Sequence, residues 1–162
     1  MKDLHVSWTQ YHALIEQLAL SIHQSDWQCD RIICIAKGGL RVGDILCRIF
    51  DVPLAILSTT SYGGADGKTR GEIKVSENLA MLESTISGKV LLVDDLVDSG
   101  VSLQVTRNWL ETRYGADIDE MKTAVIWYKA CSVTKPDYYA DYLADNPWIH
   151  QPFEKYEQYR FE

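Results

Sequence analysis

Apolar and polar positions alternate along the chain in two distinct periods. Ser7 and Gln10 stand three apart ahead of Tyr11, Leu14, Ile15, Leu18 and Ile22. This is a capping box followed by one apolar helical stripe. Arg31 to Ala36 is a short apolar run that predicts a buried strand. Lys37-Gly38-Gly39-Leu40 follows it, and then a helix-compatible segment from Val42 to Phe50. Leu54 to Ser58 predicts another strand, and Ile73 to Leu82 a return strand with a connector. Val90 to Val93, rich in β-branched residues, predicts a further buried strand. A helix is expected from Leu103 to Tyr114, a strand from Met121 to Tyr128, and a short strand from Tyr138 to Leu143.

Composition narrows the class of protein. A chain of 162 residues, 46% hydrophobic, is long enough for one domain, residues 1–162, with its own core. A net charge of -7 argues against nucleic acid or an anionic membrane as the main partner. No stretch approaches membrane-spanning length and no apolar leader opens the chain. The four cysteines, Cys29, Cys34, Cys47 and Cys131, form no C-x-x-C pair. Reduced core thiols in a cytoplasmic protein are the expectation.

The candidate chemistry gathers at two predicted strand ends, where ligands bind in a parallel sheet. Asp94 and Asp95 close the Val90–Val93 run, and Asp98 and the turn Ser99-Gly100-Val101-Ser102 follow. Carboxylates are costly to bury unpaired, and the turn's N–H groups can converge on an anion at a helix start. Together they read as a socket for a polyhydroxylated, phosphorylated ligand. A plain N-capped helix, with Asp98 or Ser99 as cap, is the competing reading. Lys37-Gly38-Gly39 at the second strand end is either an anion-binding turn or an ordinary one. Residues 59–72 carry Gly63, Gly64, Gly67 and Gly71 with Lys68 and Arg70. They form either a surface hairpin or a lid over a polyanion. Near the end, Pro147 and Pro152 flank Trp148, which offers a flat apolar face for stacking a base or simply packs a terminus.

The segment from Val90 to Ser102 closely resembles the 5-phosphoribosyl-1-pyrophosphate (PRPP) signature of type I phosphoribosyltransferases: apolar strand, two acids, spacer, acid, then Ser-Gly-x-Ser. The order of the remaining motifs resembles the purine enzymes of that family, xanthine-guanine and hypoxanthine phosphoribosyltransferases. The resemblance implies a three-layer α/β fold with a mainly parallel central sheet and a small C-terminal hood. It makes Lys37-Gly38-Gly39 the pyrophosphate loop, where a non-proline cis peptide is common, and Ser61-Tyr62 the start of the flexible loop. It assigns Asp94 and Asp95 to the ribose hydroxyls and a magnesium ion, and Asp98 to Ser102 to the 5-phosphate. Asp98 also becomes a candidate proton acceptor from the purine. Lys129 would contact the exocyclic oxygen of a 6-oxopurine, Trp148 would stack on the base, and the Ile149 carbonyl would read its C2 edge. A homo-oligomer is implied by resemblance alone. Lys37 stands where Arg is usual, and His150 where some members carry an acid, so the preferred purine stays open. Two alternatives accompany this reading: a transferase for a non-purine base, and a non-catalytic sensor of PRPP or a nucleotide.

Overall fold

The computed structural model describes residues 2–62 and 72–162, positions 61 and 62 by their backbone alone. In chain order the elements are β1 (Asp3–His5), α1 (Trp8–Gln24), β2 (Arg31–Ala36), α2 (Leu40–Phe50), β3 (Leu54–Tyr62), β4 (Glu72–Val75) and β5 (Gly88–Val93). Then come β6 (Leu96–Val97), α3 (Val101–Tyr114), β7 (Ile118–Lys129), β8 (Tyr138–Leu143), β9 (Trp148–His150) and a 3-10 turn over Glu154–Gln158.

The main sheet runs β4-β3-β2-β5-β7, with β6 and β8 also paired to β7. Only the β3–β4 pair in it is antiparallel. β6 continues the line of β5. Val93 pairs with Ala124 and Leu96 with Trp127, a step of three on each strand. Asp94 and Asp95 fill the gap between the two, and their main chain stays bonded to β7 at Ala124, Ile126 and Trp127.

Alternation along the strands splits the core into two layers. Ile32, Cys34, Leu91, Val93 and Ala124 face α1 and α2, beside Tyr11, Ile15, Leu18 and Leu46. Ile33, Ile35, Val90, Leu92 and Val125 face the other way, toward Leu103 and Leu110 of α3. Helices thus cover both faces, giving the expected three-layer α/β arrangement. The capping box at α1 is formed in both directions, Ser7 Oγ accepting from the Gln10 N–H and Gln10 Oε1 from the Ser7 N–H.

The sequence expectations differ from the structure at several places, and α2 and β7 also begin earlier than expected, at Leu40 and Ile118. The strand expected over Leu54–Ser58 runs on to Tyr62, because antiparallel pairing with β4 extends it past its apolar part. The helix expected from Leu103 starts at Val101, so Val101 and Ser102 belong to its first turn. Cys131 is exposed while Cys34 is buried, so the thiols are free but not all in the core. β1 and β6 are additional elements. The lid positions 63–71 lie outside the described residues. Among the described residues no helix is long and apolar enough to cross a membrane.

Candidate active site

The glycine turn and the acid tip lie side by side. β2 and β5 are adjacent and parallel, with Cys34 opposite Val93, so both segments leave the sheet at the same end. The Ala36–Lys37 peptide is cis. Gly38 packs so closely on Asp95 that a Cβ there would lie 2.6–2.7 Å from the three carboxyl atoms. A Cβ on Gly39 would lie 2.7 Å from the Val93 carbonyl and 2.8 Å from that of Ile35. Both glycines are therefore required by close approach, and an ordinary turn needs neither. Lys37 is exposed and lines an open groove of about 690 Å³ with Leu40, Arg41, Asp44 and Phe153. β3 passes the end of β2, where Ala36 pairs with Ser58, and so carries the backbone of Ser61 and Tyr62 beyond the same sheet end.

The two neighbouring acids differ in their surroundings. Asp94 Oδ1 accepts the Asp95 N–H at 2.9 Å. Burial, and then the adjacent Asp95 carboxylate, push the Asp94 pKa well above the usual carboxylate value. Asp95 is turned toward the hood: Oδ1 accepts the Leu96 N–H at 2.8 Å and Oδ2 accepts Gln151 Nε2 at 2.6 Å. Gln151 is a polar residue only 7% exposed that sequence reasoning missed. It had no signal of its own, being one polar position between His150 and Pro152.

Asp98 and Lys129 are brought together by register. Val97 pairs with Tyr128, so the next residues of β6 and β7 meet, and Lys129 Nζ lies 3.7 Å from Asp98 Oδ2. The Lys129 side chain is 7% exposed and that of Asp98 is 53% exposed, so the cation is set behind an accessible carboxylate. This is a different situation from a solvated lysine at a strand terminus. Cys131 donates to Asp98, Sγ to Oδ1 at 3.3 Å. Burial and the bond to Asp98 raise its thiol's pKa.

Gly100 precedes α3 with φ +86° and caps it with no side-chain bond. Because Gly100 has no side chain, the only side-chain bond to the first turn of α3 among the described residues comes from Ser99. Ser99 Oγ accepts from the Val101 N–H at 3.3 Å. The loop after β7 backs this turn: the Val133 N–H donates to the Ser99 carbonyl at 3.0 Å. A Cβ on Gly100 would lie 2.6 Å from Ser132 Oγ. These supports from 132–134 were also not foreseen.

The hood is a two-stranded parallel pair, β1 with β9, in which Ile149 pairs with Leu4 and His150 with His5. Trp148 is 58% exposed and Ile149 5% exposed, so the tryptophan face is open and the isoleucine anchors the strand. Cys131 N–H donates to Asn146 Oδ1 at 2.8 Å, which ties the segment before Trp148 to the one after Lys129. His150 Nε2 lies 2.9 Å from Asp3 Oδ2, and its ring stacks on His5 at 4.3 Å.

Comparison with known proteins gives a consistent picture. The family described as the phosphoribosyl transferase domain matches residues 7–158. A xanthine-guanine phosphoribosyltransferase of Ruegeria sp. (strain TM1040) is 28% identical, covering 98% of this chain and 89% of that protein. The crystal structure of a purine phosphoribosyltransferase from Pyrococcus horikoshii Ot3 superposes with a TM-score of 0.77 at 25% identity, over 94% of this chain and 95% of that one. The Helicobacter pylori xanthine-guanine-hypoxanthine phosphoribosyltransferase shares the fold, with a TM-score of 0.73 at 21% identity over 97% and 95% of the two chains. A family match spanning both strand tips, the Lys129 strand and the hood joins the resemblance seen in the acid motif: the chain belongs to the phosphoribosyl transferase family and has its type I fold.

Proposed function

We propose that the protein transfers the 5-phosphoribosyl group of PRPP to a 6-oxopurine, releasing pyrophosphate, as in purine salvage. The base is hypoxanthine, guanine or xanthine. The observation that carries this reading is the contact of Gly38 with Asp95, which puts a phosphate-binding turn and a carboxylate tip within reach of one sugar.

In such a transfer the C1–pyrophosphate bond breaks as the purine N9 attacks. Positive charge grows on the ribose and negative charge on the leaving group. The main-chain N–H of Gly38, with Lys37, serves the departing pyrophosphate, while the Gly39 N–H is held by the Ile35 carbonyl at 2.8 Å; fixed donors aimed at developing charge are worth most in a water-poor site. The first turn of α3 holds the 5-phosphate, and Ser99 and Ser102 add hydroxyls. This fixes the sugar's far end and so the position of its reacting carbon. Asp94 and Asp95 accept from the ribose hydroxyls.

The same two carboxylates fit a magnesium ion, because they are hard oxygen donors and among the described residues no cation ion-pairs Asp94. When bound, magnesium supplies positive charge to pyrophosphate and ribose oxygens. Asp94 is the better placed of the two, since both Asp95 oxygens already accept hydrogen bonds.

Asp98 accepts the purine N7 proton as N9 attacks, and Lys129, released from Asp98, stabilises charge on the 6-oxygen. Trp148 stacks on the base and the Ile149 carbonyl reads its C2 edge. His150 is engaged by Asp3 and His5, so it stands in the hood's own strand pair and not as a free acid toward the base.

A spectrophotometric assay with PRPP, magnesium and each base in turn tests the proposal. Nucleotide and pyrophosphate should form with at least one of hypoxanthine, guanine and xanthine. PRPP consumed only with orotate, uracil or another non-purine base, or with no base at all, would contradict it.

A further inference from the structure

Gln151 is a buried side chain for which the reaction scheme above has no task. Its Nε2 donates to Asp95 Oδ2 at 2.6 Å, and its Oε1 is buried with no protein partner. The orientation of the amide is therefore set by Asp95 alone. Asp95 in turn touches three parts of the site. Its carboxylate packs on Gly38, its main-chain carbonyl accepts from Ile126 and Trp127 of β7, and its Oδ2 accepts from the hood through Gln151.

The main chain of Gln151 directly follows β9. The preceding carbonyl, of His150, accepts the Val6 N–H at 3.0 Å, and the Gln151 carbonyl accepts the Glu154 N–H at 3.1 Å. Trp148 opens that strand, three residues before Gln151. One side chain thus bridges the sugar-binding carboxylate and the strand that carries the stacking wall.

Four buried side-chain polar atoms among the described residues have no protein partner; Gln151 Oε1 is one, and Tyr11 Oη and Trp127 Nε1 are two others. Tyr11 and Trp127 pack with ring centroids 6.4 Å apart, and the main-chain N–H of Trp127 donates to the Asp95 carbonyl.

We propose that Gln151 is a positioning residue that, through Asp95, couples PRPP in its subsite to the purine wall, so that the two substrates bind cooperatively. PRPP fixes Asp95 and the Gly38 turn; Asp95 fixes the Gln151 amide; the amide fixes β9 and with it Trp148. This rests on the purine transferase reading, and linkage makes the effect reciprocal.

The test measures binding without turnover. The 9-deaza analogue of the purine that the wild type uses fastest, 9-deazaguanine if that is guanine, has carbon in place of the attacking nitrogen. Its dissociation constant is measured calorimetrically with and without saturating PRPP and magnesium. In the wild type PRPP should tighten it at least ~5-fold. In Gln151→Leu that factor should fall to about 1, with the thermal melt still cooperative. Should the Leu variant not fold, Gln151→Asn, which keeps the amide but is one methylene short of Asp95, should show the same loss. On an Asp95→Asn background the Gln151 substitution should change little further, since both act through one contact. Gln151→Glu supplies a readout that mere packing would not move: its coupling should recover as pH falls and the new acid becomes a donor to Asp95.

Retention of the full coupling factor in Gln151→Leu, absence of coupling in the wild type, or an effect that adds in full to Asp95→Asn would overturn the inference while leaving an active wild type as a purine transferase. A wild type inactive with every purine fails the underlying reading itself, so the two failures are distinct.

Discussion

Lys129 is held 3.7 Å from Asp98 and almost wholly buried, which sets up a division of labour between the two. Asp98→Asn keeps the shape and removes the proposed proton acceptor. It should lower kcat about 100-fold, with the PRPP KM little changed; equal losses in both would reject the base assignment. Lys129→Ala removes the proposed charge-assisted contact to the purine oxygen. It should raise the purine KM roughly 10-fold or more, with PRPP affinity spared, and an unchanged purine KM and kcat would take Lys129 out of the site. The cysteines offer a check that needs no substrate. Burial pushes the Cys34 thiol up to about 12, so it has almost no thiolate at pH 8. Cys131 is exposed and touches Asp98. A thiol reagent at pH 8 should label Cys131 ahead of Cys34, with Cys34 reacting only after unfolding. Labelling in the reverse order would contradict the placement of both.

At the scale of elements, much of the arrangement could be read in advance. Long apolar runs such as Arg31–Ala36 and Val90–Val93 became β2 and β5, and the Tyr11–Ile22 stripe became the buried face of α1. The acids and glycines were legible because a buried strand has little reason to end in two carboxylates or paired glycines. Other parts left no trace. β1 is three residues and β6 two, too short for any period to show, and β6 exists only because β7 offers a free length of edge beyond Asp95. The role of Gln151 depends on a partner 56 positions away. The same reasoning makes a prediction about the glycine turn. Gly38→Ala would push a methyl into the Asp95 carboxylate. Because that contact is between two elements, the variant should lose PRPP binding while α1 and the hood remain folded, as judged by an unchanged circular dichroism spectrum.

For the molecule as a whole, the site is held at some cost to stability. Burial and then Asp95 raise the Asp94 pKa, whereas in the unfolded chain it has its ordinary value. Between the two values the folded chain binds more protons than the unfolded one, so ligand-free stability should fall as pH rises from about 4 through that window. Asp94→Asn removes the ionisation, and its urea midpoint should exceed that of the wild type at pH 7 and vary less with pH. A lower midpoint at pH 7 would show that the Asp94 charge is not a burden on the fold. The central claim concerns one sugar phosphate lying across the tips of β2 and β5, and calorimetric titration of PRPP with magnesium into the wild type and Gly38→Ala tests it most directly. The account predicts saturable one-to-one binding by the wild type and at least ~10-fold weaker binding by the variant; equal affinities, or no binding by either, would contradict it.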